Sequence, residues 1–125
     1  MELEIIKHKP DYSDERGYIH NTFKGEDAKQ VTVLFRKAGT ISGNHYHKGE
    51  DPSKNPEKFL IIKGKMKFRA ESLEGELLRE EIVDDLTEIR IPPFVKHTFE
   101  ALEDTWFIEY RKTPFDKNNP DTYRD

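Results

Sequence analysis

At 125 residues and with no internal repeat, the chain has room for a single domain that can bury a core without staples. It contains no cysteine, which excludes disulfides, thiolate catalysis and sulfur-bound metals, so any metal must be held by His, Asp or Glu. Its 21 Lys and Arg against 25 Asp and Glu leave a formal charge of -4 with no basic stripe, which argues against a nucleic-acid partner.

The opening stretch, MELEIIKHKPDYS, lacks the apolar run of a signal peptide, and no stretch is long and apolar enough to span a membrane. A cytoplasmic chain with no membrane contact is expected. The rest of the chain alternates in short segments between turn signals, with little sustained helical periodicity, and this predicts an all-β fold. Strands are expected over 3–8, 18–23, 30–36, 58–63, 62–70, 87–91, 97–102 and 105–111. The clearest is 62–70, where Ile62, Gly64, Met66, Phe68 and Ala70 share one parity while Lys63, Lys65, Lys67 and Arg69 take the other. Gly64-Lys65 either turns a hairpin or bends one strand, and the spacing leaves both open. Residues 74–85, EGELLREEIVDD, also fit a helical face through Leu77, Leu78, Ile82 and Val83, but their context favours a strand. So many strands suit a sandwich or small barrel. Residues 1–112 are read as that barrel with its N-terminal strands, and 113–125 as a C-terminal tail docked through Phe115 and Tyr123.

Because a strand repeats its facing every two residues, His45 and His47 point to one side and Tyr46 to the other. Glu57 comes ten positions after His47, and His97 opens a later strand behind the sequence IPPFVK. Two imidazoles, a carboxylate and a third imidazole make a borderline-hard site suited to Zn, Fe, Mn, Ni or Co. The competing expectation is a polar barrel mouth of hydrogen-bonded histidines without metal.

The arrangement of Gly39, His45, His47, Glu57 and Gly64, with His97 after Pro92, resembles the cupin superfamily, which implies a double-stranded β-helix, a jelly-roll-like barrel with these residues as ligands of one divalent metal ion. That family usually has three or four residues between the second histidine and the glutamate. Here there are nine, KGEDPSKNP, which read as a loop inserted at the barrel mouth and able to act as a lid. Phe94 stands where the family usually has glycine, and Ala101 where it has asparagine. The stretches GNHYHK, EKFLIIKG and FDKNNPDTY look like the C-terminal cupin domain of the bifunctional reductase/epimerase of capsular polysaccharide synthesis, over roughly 30–123. DERGYIHNTF is similar to the opening of dTDP-4-dehydrorhamnose 3,5-epimerases. Related dTDP-sugar ketoisomerases tend to carry glutamine at the position of Glu57, so the carboxylate favours a metal.

The resemblance implies an epimerase or isomerase acting on a nucleotide-linked keto sugar, usually as a homodimer. Proton abstraction next to a ketone needs a base as well as charge stabilisation. If all three histidines ligate metal, His20 or Tyr110 becomes the candidate base, the competing role of Tyr110 being core packing beside Trp106. Arg16 is a candidate contact for a diphosphate, or else a solvated turn residue. Lys48 and Lys58 flank the motif and would steer an anionic sugar nucleotide if they are not simply solvated. Two rivals stand beside the isomerase: a metal-dependent binding module without turnover, and a dioxygenase using Fe or Mn.

Overall fold

The computed structural model describes residues 2–124. Eleven antiparallel strands form two facing sheets and one separate hairpin. The first sheet runs in the order β1 (Glu4–Lys7), β9 (Thr87–Ile91), β6 (Glu57–Lys63), β11 (Thr105–Arg111), β4 (Gln30–Arg36). The second runs β5 (Ile41–His45), β10 (Lys96–Ala101), β7 (Lys65–Glu71), β8 (Leu77–Asp84). This is the expected all-β, jelly-roll-like architecture. The hairpin of β2 (Tyr12–Asp14) and β3 (Gly17–Ile19) stands apart from both sheets. Among the described residues no helix is long and apolar enough to cross a membrane.

Alternation decides which side chains enter the core. In β7 Met66, Phe68 and Ala70 are buried while Lys65 is exposed, and in β10 His97, Phe99 and Ala101 are buried. Phe59, Phe68, Phe99 and Phe107 meet between the sheets with neighbouring ring centres 5.2–5.7 Å apart, the tilted contacts that aromatic rings prefer. Residues 77–84 are a strand, as expected. β8 lies at a sheet edge, so Leu77 and Ile82 stay exposed and Val83 is its buried anchor.

Gly64 settles the choice left open by its spacing. It neither turns a hairpin nor lies within one strand, because β6 belongs to the first sheet and β7 to the second. The chain changes sheets at this residue, which has φ +128. A Cβ there would sit 2.6 Å from the Asp104 carbonyl oxygen and 2.7 Å from Thr105 Cα, so only glycine fits this corner.

The segment after β11, expected as a tail, folds back onto the barrel. Tyr123 exchanges two backbone hydrogen bonds with Tyr46 (2.9 and 3.0 Å), and Asp121 is buried. Phe115 remains exposed beside the Arg111 guanidinium.

Gly64→Ala is expected to lower unfolding free energy by about 3 kcal/mol or more. Gly75→Ala, at φ +91 with open space around it, should lose only about 1–2 kcal/mol. Urea titrations of the two variants should separate them. Equal losses would contradict the close approach at the corner.

Candidate metal centre

His45 ends β5, His47 comes two positions later, His97 lies near the start of β10 and Glu57 opens β6. Strand pairing places His45 directly across from His97, where a bulge shifts the register between His97 and Thr98. Gly43, at φ +89, permits that approach, since a Cβ would lie 2.8 Å from the His97 carbonyl oxygen. One ring nitrogen from each of His45, His47 and His97 lies within 4.8 Å of the others. Glu57 completes the group, its Oε1 standing 3.1 Å from His47 Nε2 and 3.2 Å from His97 Nε2. Thus the three histidines cluster, and Glu57 lies against two of them, His47 and His97.

The ring nitrogens facing away from the cluster identify the protonated atoms. His47 Nδ1 is 2.7 Å from the Asp121 carbonyl oxygen, and His97 Nδ1 is 3.1 Å from that of Val95. A carbonyl oxygen only accepts, so both Nδ1 atoms carry hydrogen and donate. Each Nε2 then directs a lone pair at the Glu57 carboxylate unless a second proton or a cation lies between them. Two imidazolium rings 5.3 Å apart, with a third 4.9 Å from each, would repel one another in a buried site. One divalent cation would satisfy the three imidazoles and the carboxylate together, so the donor set fits a metal. Burial, together with the positive charge that His97 and His47 would carry, pushes His45 down to about 3, so its ring is neutral at ordinary pH.

Glu57 is fully buried and uses its second oxygen as well. Lys54 Nζ donates to Glu57 Oε2 at 2.6 Å and to Glu109 Oε2 at 2.7 Å. Burial alone would raise the Glu57 carboxyl, but the hydrogen bonds that His47 and His97 donate when their rings carry the second proton, and the Lys54 charge, hold it well below its usual value. Glu109 moves the other way. Burial, reinforced by the neighbouring Glu57 carboxylate, pushes it up to about 7 in spite of Lys54.

Lys54 sits on a short 3₁₀ turn, Pro52–Lys54, within the inserted loop. That loop is strapped down rather than hung as a lid. Asp51 caps the turn by accepting from Ser53 N (2.8 Å) and pairs with the buried Arg111 (2.6 Å). Ser53 Oγ accepts from Lys112 N (2.9 Å) and Thr113 N (3.2 Å). Asp121 accepts from Lys48 N (2.9 Å) and Asp51 N (3.0 Å), while its own carbonyl holds His47.

The remaining sequence candidates lie elsewhere. Tyr110 and Lys58 face each other on the outer side of the first sheet, opposite to Glu57 and Glu109, with the Lys58 ammonium 5.1 Å from the Tyr110 ring centre and paired to Glu26. His20 lies beside His8 and lines a separate cavity of about 290 Å³ with Thr22, Glu88 and Arg90. The structure therefore does not bring His20, Tyr110 or Lys58 to the cluster. Arg16 is exposed on the separate hairpin and pairs with Asp14 at 2.7 Å. Lys48, directly after His47, extends over the Tyr123 ring at 4.2 Å. The sequence candidates omitted Lys54 and Glu109. The available signal for Glu109 was its parity, opposite to outward-facing Tyr110. For Lys54 it was the spacing of three residues to Glu57.

Residues 12–123 match the family model described as the polysaccharide biosynthesis C-terminal domain. No curated protein sequence matches the chain. Among solved structures it is similar to the capsular polysaccharide assembling protein CapF from Staphylococcus aureus, with 30% identity and a TM-score of 0.66, covering 98% of this chain and 32% of that one. The chain thus spans about a third of CapF's length, 32%. It is also similar to dTDP-4-dehydrorhamnose 3,5-epimerase from Sulfolobus tokodaii (22% identity, TM-score 0.68, covering 90% of this chain and 72% of that one). A third similar structure is the sugar 3,4-ketoisomerase QdtA from Thermoanaerobacterium thermosaccharolyticum in complex with TDP (18% identity, TM-score 0.72, covering 98% and 88%). At these lower identities the last two likenesses show the fold alone.

Long-range ¹H–¹⁵N correlation spectra should show hydrogen on Nδ1 of both His47 and His97, whether or not metal has been added. A bare Nδ1 on either ring would contradict the donation to the Asp121 and Val95 carbonyls.

Proposed function

We propose that this chain, which belongs to the polysaccharide biosynthesis C-terminal domain family, is an epimerase or isomerase of a nucleotide-linked keto sugar, organised around one divalent metal ion. His45, His47, Glu57 and His97 would hold the ion. The observation that carries the metal is the pair of Nε2 atoms, on rings already protonated at Nδ1, facing a single carboxylate oxygen at 3.1 and 3.2 Å. The sugar chemistry draws its support from the family and from the likeness to CapF at 30% identity.

Shifting a proton on the carbon next to a ketone requires that the growing negative charge on the ketone oxygen be stabilised. When bound, a divalent cation supplies this by polarising that oxygen, a contribution of several kcal/mol. The chain's own residues supply the positioning. The Val95 and Asp121 carbonyls fix the His97 and His47 rings, and Glu57 contributes the one negative charge directed at the cluster. The phenylalanines below His97, with Phe99 6.2 Å from its ring, close the inner side against water. His20 and Tyr110 do not serve as the base within one chain, since neither faces the cluster. Lys48 is the lysine next to the motif, and we assign it to the anionic nucleotide part of the substrate.

A homodimer is part of the same proposal. The edge strand β4 exposes Val31, Val33 and Phe35, with Val33 71% exposed and Trp106 tilted against Phe35, ring centres 4.8 Å apart. An apolar edge of this kind is a template for pairing with a second copy.

Protein purified without chelator should carry about one divalent ion per chain by elemental analysis, and His97→Gln or Glu57→Gln should weaken its binding at least tenfold by calorimetry. Tyr110→Phe should leave it within twofold. In deuterated buffer the loaded protein should exchange the α-proton of a nucleoside-diphosphate-linked 4-keto-6-deoxy sugar. If such sugars neither exchange nor shift the melting temperature, the isomerase assignment fails; stabilisation without exchange would leave a binding module. Light scattering at micromolar concentration should return twice the mass of one chain, and a monomer would end the dimer proposal.

A further inference from the structure

Lys54 is 8% exposed, and its ammonium lies between two buried carboxylates, Glu57 and Glu109, within 2.6–2.7 Å of each. Glu57 has two oxygens with different surroundings: Oε2 accepts from Lys54, whereas Oε1 faces the Nε2 atoms of His47 and His97. Resting on the metal site proposed for His45, His47, Glu57 and His97, we propose that Lys54 is a positioning residue for the metal. It claims Oε2, so that Glu57 offers the ion one oxygen, and it offsets the second carboxylate that would otherwise stand beside the ligand.

The surroundings of Lys54 suit a fixed role. Asp51 and Ser53, the two residues that anchor its 3₁₀ turn, are tied to Arg111, Lys112, Thr113 and Asp121 from the end of β11 and the C-terminal segment. The turn that carries the ammonium is therefore anchored at the two residues on either side of Pro52. The longer spacing between His47 and Glu57 thereby gains a purpose: the extra residues carry the counter-charge into the barrel. Removing Lys54 would leave Glu57 free to turn both oxygens toward the cluster, beside an uncompensated Glu109. The expected signature is a change in coordination, which a purely structural lysine would not produce.

Cobalt(II) is a suitable probe, because its visible absorption reports ligand number and geometry. The variants are Lys54→Met, Lys54→Arg, and the double variant Lys54→Met/Glu109→Gln, which removes the orphaned carboxylate and so protects folding. Thermal melts confirm folding first. The proposal expects the double variant to bind Co²⁺ at least tenfold more weakly than wild type with a changed visible band, and Lys54→Arg to restore most of both. Wild-type affinity and an unchanged band in the folded double variant would overturn the role of Lys54 and leave the metal site standing. Failure of the wild-type protein itself to bind Co²⁺ would instead overturn the metal site, and the role of Lys54 with it.

Discussion

The site depends on one buried carboxylate. Glu57 is 2% exposed, and an ionised carboxyl withdrawn from water costs several kcal/mol unless it is paired and hydrogen-bonded. Every contact around it answers that cost. Lys54 satisfies one oxygen and two imidazoles approach the other. Because the imidazoles are already protonated on their far side, their near nitrogens can approach a carboxylate only across a positive charge. The pull toward a cation therefore comes from where the Asp121 and Val95 carbonyls lie, and not only from the presence of histidines.

Strand parity divides the first sheet into two chemical faces. Glu57 and Glu109 point inward, while Lys58 and Tyr110, their immediate neighbours in sequence, point outward and pack against each other. A one-residue step exchanges the face of the cluster for the opposite face of the sheet, where Lys58 and Tyr110 are buried under Phe23 and Glu26. This is why proximity in sequence misleads for Lys58 and Tyr110, and why the same rule succeeds for His45 and His47, which are two apart. His20 escapes parity altogether. It lies beyond the end of β3, in a segment that runs to the cavity beside His8 and Glu88.

Much of this was legible in the sequence. Alternation in residues 62–70 predicts the buried face of β7, a strand is expected at 97–102 where β10 lies, and the spacing of His45, His47, Glu57 and His97 predicts a shared site. The features that stayed hidden depend on tertiary partners. Turn-forming residues in 48–56 read as an inserted loop able to act as a lid, yet Asp51 and Ser53 find Arg111 and the backbone of Lys112 and Thr113 at separations of 59–60 positions. No local pattern encodes such a match. Gly64 is ambiguous for a similar reason, since only the assignment of β6 and β7 to different sheets makes it a corner. Phe94 is instructive in the opposite direction. It stands where the motif that the sequence resembles usually has glycine, and it adopts φ +65, the left-handed region that glycine enters at little cost.

The C-terminal segment shows how far the site extends from its ligands. Asp121 uses its carbonyl to orient His47 and both carboxylate oxygens to hold the backbone of Lys48 and Asp51. Asp51 in turn anchors Arg111 and caps the turn that presents Lys54. One residue in a stretch rich in Pro, Asn and Asp thus connects His47 to the counter-ion of Glu57. A displacement of Asp121 would disturb both the tautomer of His47 and the charge balance of Glu57. Residues after β11 are for that reason as much a part of the centre as the strands that carry its donors.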